Sequence, residues 1–236
     1  MKLKRKEEKD LISILNKGLS FSYPTFDCAR DSERVVLAAI DMFHHNNINE
    51  VYELMSDRLQ MDRTFLKDIA INHNLEIIKY SELLRNDEVL IKEIFHNDRN
   101  GKWIYRFELP CLSNDKEATI EAVKVATNLM EHTSPTLRDD KEFMKQILEI
   151  GYCGEELRFA SDRLKDDNEF VLQALKKADQ GDRAGFVASY ASPRLVSLFE
   201  NSKQDVIKVV ETDMAFRNLQ ASLSKSNEIK PKRHKI

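Results

Sequence analysis

Apolar and polar positions along this chain follow a pattern that returns every 25 to 31 residues. After an aspartate, apolar residues stand at the fourth, seventh and eighth positions, as Leu66, Ile69 and Ala70 do after Asp62. This spacing places them on one face of a helix. The aspartate stands where an N-cap belongs, because its carboxylate can accept the free backbone N–H groups and lies at the positive helix end. The pattern therefore predicts that each such aspartate begins a helix.

The aspartate also closes a short motif, Ser-x-x-Leu-x-x-Asp, that the chain repeats. Four copies have no mismatch: Ser56-Leu59-Asp62, Ser81-Leu84-Asp87, Ser134-Leu137-Asp140 and Ser161-Leu164-Asp167. Three are partial: Cys28-Asp31, Leu112-Asp115 and Ser192-Leu195. Between one long helix and the next serine lie segments of about two turns, which can form a short helix only if it is packed against others. We expect the serine to begin a turn and the leucine to enter the core.

Helix-pair units of this length bury their apolar faces only by stacking on their neighbours. We therefore predict an all-α fold, a solenoid-like array of short helix-pair repeats with terminal capping helices. The scarcity of glycine (6) and proline (5) agrees with helices. The predicted regions are a basic segment and capping helix at 1–25, repeats at 26–200, a C-terminal helix at 201–224 and a basic, disordered tail at 225–236. An ordinary helical bundle is the alternative.

Two stretches carry a resemblance to a known family. They read Thr133-Ser134-Pro135-Thr136-Leu137-Arg138-Asp139-Asp140-Lys141-Glu142-Phe143 and Ala160-Ser161-Asp162-Arg163-Leu164-Lys165-Asp166-Asp167-Asn168-Glu169-Phe170. Both resemble the motif of a family of short helical repeats of unknown function that is frequent among effectors injected by intracellular bacteria. The resemblance covers Asp31 to about Leu195, and it supplies no catalytic residues. It implies a bacterial effector or a regulator of one, delivered without a cleavable signal peptide.

Charge and cysteine content narrow the class of protein. The formal net charge is −3, so no global field attracts nucleic acid or anionic membrane. Three separated cysteines are typical of a reducing compartment and not of a disulfide framework. No apolar run reaches the roughly 18–20 residues of a membrane span, so we expect a soluble, cytoplasmic protein.

Motifs that carry chemistry are missing from the sequence. There is no Gly-rich phosphate loop, nucleophile elbow or His-Glu-x-x-His, so we predict no metal and no cofactor. Cys153, which Gly151 and Gly154 flank, is the one candidate nucleophile, and the two glycines are interpreted as helix C-caps.

The first functional hypothesis is a non-enzymatic module that binds another protein, of host or bacterial origin, through exposed aromatic and arginine side chains. The candidate anchors are Tyr52, Tyr80, Trp103, Tyr105, Tyr152, Arg158 and Tyr190. Trp103 and Tyr105 fall in an irregular stretch, 97–110, for which both an extended segment and a short helix remain open. The alternatives are a helical repeat that binds nucleic acid through the basic tail and an enzyme with an unfamiliar site. The tail residues are Lys230, Lys232, Arg233 and Lys235.

Overall fold

The structure, a computed structural model, describes residues 3–42, 48–97, 102–151, 153–179, 183–202 and 205–228. All regular structure in these residues is helical and none of them forms a strand, which confirms the all-α prediction. The chain forms two compact units, Met1–Leu112 and Ser113–Ile236. The boundary lies inside the predicted repeat region.

Each repeat contains a long helix, a short segment and a one-turn helix. The long helices are Glu33–Met42, Arg63–Asp68 with a π-helical continuation Ile69–His73, Glu88–Asn97, Lys116–Val125, Lys141–Ile150 and Asn168–Asp179. The short segments are the α-helices Ile48–Leu54, Ile77–Tyr80 and Ala184–Ala188 and the 3-10 helices Trp103–Phe107, Thr127–His132 and Glu155–Phe159. The one-turn helices are Pro24–Ala29 (3-10), Asp57–Gln60, Glu82–Asn86, Pro110–Ser113, Pro135–Arg138 and Asp162–Lys165, and Pro193–Glu200 is a longer counterpart. Arg5–Leu15 and Val206–Glu228 are the terminal helices.

Five of the six predicted aspartate caps are confirmed, and the exception is Asp31. The Asp62 carboxylate accepts the N–H groups of Thr64 and Phe65, each at 3.0 Å. Carboxylates at the other four predicted caps accept N–H groups of the following helix in the same way: Asp87, Asp115, Asp140 and Asp167. Each of these five helices therefore begins at the residue that the pattern names.

The first copy is displaced by one residue from its predicted position. Ser32, not Asp31, begins the helix Glu33–Met42, since its carbonyl accepts the N–H of Val36 at 3.0 Å. Ala29, fully buried, takes the place of the motif leucine, whereas Cys28 is exposed. The prediction aligned the wrong pair of residues, because Cys28 and Asp31 preserve the spacing of the motif.

With this correction the long helices share one pattern of burial. Positions three, four, seven and eight after the cap are buried in every repeat, one position more than the sequence pattern predicted. Thr119, at the fourth position after Asp115, is fully buried despite its hydroxyl. The hydroxyl donates to the Asp115 carbonyl at 2.8 Å, which satisfies the polar group inside the core.

The motif serine begins a one-turn helix, so a repeat holds three helical pieces and not the predicted pair joined by a turn. The Oγ atoms of five serines accept the N–H three residues later: Ser56, Ser81, Ser134, Ser161 and Ser192. This is N-cap geometry in each case. The leucines enter the core as predicted, with Leu59, Leu84 and Leu164 fully buried.

A backbone hydrogen bond links many successive repeats. The N–H of a motif serine donates to the carbonyl two residues before the preceding cap. The pairs are Ser56 with Arg30, Ser134 with Ser113, Ser161 with Arg138 and Ser192 with Lys165, at 2.9–3.0 Å. Because this bond fixes the chain direction at the start of each one-turn helix, it sets the register between neighbouring repeats.

Three of the junctions add a side-chain clamp, formed by a Ser-x-Arg sequence and an aspartate directly before the preceding cap. In one of them, Ser192 Oγ donates to Asp166 Oδ1 at 2.5 Å, and Arg194 Nε donates to the same oxygen at 2.7 Å. Arg194 also donates to the Asp166 carbonyl at 3.1 Å. The same contacts join Ser56 and Arg58 to Asp31, and Ser161 and Arg163 to Asp139. Charge-assisted bonds of this kind are stronger than neutral ones.

At each junction the aspartate and the arginine of the clamp are either both present or both absent. Where the residue before the cap is Met61, Asn86 or Asn114, the position of the arginine holds Leu83, Cys111 or Thr136. Clamped and unclamped junctions therefore occur in one chain, and each serves as an internal control for the other.

A second set of ion pairs connects consecutive caps. A basic residue directly after one cap reaches the carboxylate of the next cap, as Lys116 reaches Asp140 at 2.6 Å and Lys141 reaches Asp167 at 2.8 Å. Arg63 and Asp87 form the same pair. Each of these aspartates thus caps its own helix and also forms an ion pair with the preceding repeat.

The carboxylates of these junctions are held in the ionised form. Hydrogen bonds from Ser161 and Arg163 lower the pKa of Asp139. At Asp166 burial alone would raise the pKa, but the hydrogen bonds from Ser192 and Arg194 outweigh it and the pKa is lowered. The clamp is therefore charged at neutral pH.

The N-terminal helix covers the first repeat over a shorter length than predicted. It ends at Leu15, its one buried residue, whereas the predicted capping region extends to residue 25. Glu8 accepts hydrogen bonds from Ser32 Oγ at 2.8 Å and from Arg34 at 3.1 Å. This contact fixes the helix beside the first cap.

The C-terminal helix packs on the last repeat through its first half. Val210 is fully buried and Asp213 accepts from Asn168 at 2.8 Å and from Arg194 at 2.7 Å. The helix continues to Glu228, so residues 225–228, which were assigned to a disordered tail, are helical. Among the described residues no helix is long and apolar enough to cross a membrane.

Replacing Arg194 by alanine should lower the free energy of unfolding by about 2 kcal/mol, because it leaves Asp166 and Asp213 without their shared partner. The arginine side chain is 29% exposed, so solvent already weakens part of the interaction. Urea unfolding measures the change. Thr136→Ala, at the same position of an unclamped junction, should change stability by less than about 0.5 kcal/mol. Equal losses in the two variants would contradict a role for the clamp.

Candidate protein-binding surface

The short segments carry most of the predicted anchors, and neighbouring segments touch each other. Ile48–Leu54 packs against Ile77–Tyr80 in the first unit, and Thr127–His132, Glu155–Phe159 and Ala184–Ala188 pack in succession in the second. Tyr52, Tyr80 and Trp103 thus lie on three consecutive short segments of the first unit.

The irregular stretch forms a 3-10 helix, Trp103–Phe107, which decides between the two alternatives left open by the sequence. Ile104 and Tyr105 are fully buried, whereas Trp103 is 38% exposed. Tyr105 therefore belongs to the core, and its prediction as an exposed anchor is wrong. Successive side chains of a helix point in different directions, so Ile104 and Tyr105 pack into the core while the adjacent Trp103 is exposed to solvent.

Residues in the left-handed conformation flank this helix on both sides. Lys102 has φ 69° and Glu108 has φ 53°, values that cost free energy in any residue except glycine. Lys102 Nζ offsets part of this by donating to the Phe95 carbonyl at 2.7 Å and by lying 4.3 Å from the centroid of the Phe95 ring. Backbone strain of this kind is concentrated at functional sites, and here it fixes the direction of Trp103.

An acidic residue joins this helix to the preceding short segment. Glu76, whose side chain is 14% exposed, pairs with both Lys79 and Arg106. Both cations also lie beside the Phe107 ring, at 5.4 and 5.3 Å from its centroid. Contacts with one carboxylate and one ring hold the two segments in a fixed arrangement.

We call the resulting surface the aromatic patch and define it by Tyr80, Trp103, Phe107, Lys79 and Arg106. Tyr80 is 39% exposed, and its helix neighbours Ile77 and Ile78 are fully buried. A rigid base with large aromatic side chains left in solvent is typical of a protein-binding surface. The sequence analysis missed Lys79, Arg106 and Phe107. The two cations are recognisable from their shared contact with Glu76, and Phe107 from the two cations beside its ring.

Anchors of the second unit are more scattered. Arg158 is exposed and stacks on Phe159, with its guanidinium carbon 4.4 Å from the ring centroid. Tyr190 is partly buried against the core and makes an edge contact with Phe186, which is 54% exposed and was missed. Five of the predicted residues lie outside the described part of the chain: Tyr152, Lys230, Lys232, Arg233 and Lys235. The nucleic-acid hypothesis depends on the last four of them, so it stays a prediction.

Cys153 does not have the surroundings of a nucleophile. Burial and a hydrogen bond to Glu155 Oε1, at 3.3 Å, raise the pKa of its thiol, and Arg183 does not reverse this. Arg183 Nη1 donates to Cys153 Sγ at 3.7 Å and also pairs with Glu155 at 2.7 Å. No group of acidic, histidine or cysteine side chains within the described residues has the arrangement of a metal site.

The glycines beside Cys153 shape the loop. Gly151 is the C-cap of Lys141–Ile150, as predicted. Gly154 has φ +74° and begins the next 3-10 helix, and so is an N-cap and not a C-cap. A Cβ there would lie 2.3 Å from the Ala174 carbonyl oxygen. The position thus requires glycine on both steric and conformational grounds.

Thiol labelling at neutral pH should distinguish the cysteines. Cys28 is exposed and should react first with a disulfide reagent such as dithionitrobenzoate, whereas Cys153 should react slowly because its thiolate is disfavoured. Cys28→Ser should remove the fast phase and Cys153→Ser should leave it unchanged. Loss of the fast phase in Cys153→Ser would instead reveal an activated thiol and favour the enzyme hypothesis.

Comparison with known proteins gives one match. A family model described as a domain of unknown function (DUF4116) matches residues 140–196. This stretch contains the arginines of two clamped junctions, Arg163 and Arg194. Neither the curated proteins nor the solved structures include a significant match. The matching stretch therefore resembles a domain to which no activity is assigned.

Proposed function

We propose that this chain is a non-enzymatic module that binds another protein through the aromatic patch. The proposal rests on a contrast in solvent exposure between neighbouring residues of two short segments, Ile77–Tyr80 and Trp103–Phe107. They bury Ile77, Ile78 and Ile104 fully and leave Tyr80 and Trp103 more than a third exposed. Large aromatic side chains held outward on a fixed base gain free energy when a partner covers them, and they lose little conformational entropy.

The wider architecture supports the proposal. Serine bonds join four pairs of successive repeats, clamps reinforce three of these, and ion pairs join three pairs of consecutive caps, as expected of stacked repeats. We propose that the repeats form a solenoid-like array, in which the short segments provide the binding surface. The three-piece repeat replaces the helix pair of the sequence prediction in this proposal.

The biological setting follows from the resemblance to repeats frequent in bacterial effectors. We propose that the protein acts as an effector, or as a regulator of one, and that its partner is accordingly a host or a bacterial protein. Affinity capture of the full chain from eukaryotic and bacterial lysates, treated with nuclease, distinguishes the two. A partner that is lost on nuclease treatment would contradict protein binding.

Alanine at Tyr80 or at Trp103 should weaken binding of the captured partner by about tenfold or more, since central aromatic anchors contribute more than 1 kcal/mol each. Met61→Ala is the matched control, because Met61 is 69% exposed but lies outside the aromatic patch. Titration with purified partner measures the affinities, and the fluorescence of Trp103, the only tryptophan, reports directly on the patch. Unchanged affinity in both patch variants would exclude this surface.

A further inference from the structure

An Arg-Phe pair occurs at the same position of two repeats. Arg106-Phe107 ends the 3-10 helix of one repeat, and Arg158-Phe159 ends that of another. Each phenylalanine stands five residues before the leucine position of its motif. In both pairs the guanidinium lies over the neighbouring ring, with its carbon 5.3 Å and 4.4 Å from the ring centroid. The two repeats therefore build the same cation–aromatic unit.

The two arginines differ in their carboxylate partner. Arg106 pairs with Glu76, which stands eight residues before the motif leucine of the preceding repeat. For Arg158 the equivalent position holds Leu129, which is 1% exposed and belongs to the core. No described residue forms an ion pair or a hydrogen bond with the Arg158 side chain. Arg158 thus has the aromatic support that Arg106 has, but it lacks the carboxylate.

Stacking leaves the donors of Arg158 available. A guanidinium is planar and carries its five N–H groups within that plane, so a ring against its face blocks none of them. A carboxylate can accept two of these groups side by side. Because Arg158 is exposed, its donors are accessible from solvent.

An apolar pair extends this surface on the next short segment. The segment that carries Phe186 packs against the one that carries Arg158, and Arg183 pairs with Glu155 at 2.7 Å where the two begin. Phe186 is 54% exposed, and its ring makes an edge contact with Tyr190 at 5.3 Å between centroids. We call the whole the Arg158 surface and define it by Arg158, Phe159, Phe186 and Tyr190.

We propose that the Arg158 surface binds a segment of another protein in which a glutamate or an aspartate stands next to an apolar residue. The carboxylate takes the place at Arg158 that Glu76 holds at Arg106. The neighbouring apolar side chain covers Phe186, which gains free energy as it leaves solvent. This site rests on the proposed function only in requiring a protein partner, since it uses other residues in the other compact unit.

Nucleic acid fits this surface poorly. Phosphate contacts need several cations along the path of the backbone. Arg158 is the only lysine or arginine in the three short segments of the second unit. The same segments carry three glutamates, Glu131, Glu155 and Glu156. A single carboxylate needs one unpaired cation, which this surface provides.

Side-chain NMR of the full chain, labelled at its arginines, tests the proposal. The probe is the peptide acetyl-Leu-Glu-Leu-amide, and its neutral match is acetyl-Leu-Gln-Leu-amide. The glutamate peptide should shift the Arg158 Nε–H signal saturably. It should bind at least about threefold more tightly than the glutamine peptide, because a charge-assisted pair replaces a neutral bond at an exposed site. The Nε–H signal of Arg163, which Asp139 already holds, should stay in place.

Variants are compared through the line widths of the peptide signals. Arg158→Gln should remove the preference for the glutamate peptide, and Phe186→Ser should weaken its binding about threefold. Lys124→Gln is the matched control and should bind normally, because Lys124 is an exposed cation of the same unit that has no ion pair among the described residues. Trp103→Ala should also bind normally, which separates this test from that of the aromatic patch.

Four results would overturn the proposal. They are equal affinity for the two peptides, no shift of the Arg158 signal at about 10 mM peptide, an unchanged preference in Arg158→Gln, and loss of binding in Trp103→Ala. Circular dichroism checks that each variant folds. A short oligothymidylate that shifts the Arg158 signal at lower concentration than the glutamate peptide would assign the surface to nucleic acid and also overturn it.

Discussion

The junction between successive repeats is the interaction on which the rest of this structure depends. The short segments and one-turn helices are too short to be stable by themselves, because nucleating a helix costs more than a single turn returns. They persist because the motif leucines enter the core and, at four junctions, the serine N–H bonds to the preceding repeat. At three junctions an aspartate of one repeat also accepts from the serine and arginine of the next: Asp31, Asp139 and Asp166.

The proposed function depends on how one short segment is held. Trp103–Phe107 is joined to the preceding short segment through the pair between Arg106 and Glu76, and it buries Tyr105 while Trp103 is exposed. The two left-handed residues and the Glu76 contacts fix the direction of the exposed side chains. Preorganisation of this kind lowers the entropic cost of binding. At the C-terminal end Asp213 joins the last clamp through Arg194.

Much of the fold was predictable from the sequence, because caps and apolar spacing are local signals. The five aspartate caps, the buried leucines and the all-α class follow directly from them. The clamp was not predicted from the sequence. Asp139 and Arg163 are 24 residues apart, so their contact depends on how successive repeats pack. The displaced first copy has a similar cause. Cys28 keeps the motif spacing, and only burial shows that Ala29 holds the core position.

The candidate site was less predictable than the fold. Residue type identified Tyr80 and Trp103, but it also selected Tyr105, because an aromatic side chain serves a core and a surface equally well. The side of a 3-10 helix that faces solvent is set by its neighbours, and no periodic signal exists within five residues. Lys79 and Arg106, which are far apart in sequence, became recognisable through their shared partner Glu76, and Phe107 through the two cations beside its ring.

Native-state hydrogen exchange in Arg163→Ala tests the central claim most directly, that each junction is held by its own contacts. The account predicts that the amide of Ser161, which bonds to the Arg138 carbonyl at 3.0 Å, loses about tenfold in protection. The amide of Ser56, which forms the same bond in the other compact unit, should keep its protection. Unchanged exchange at Ser161, or an equal loss at both serines, would contradict the account.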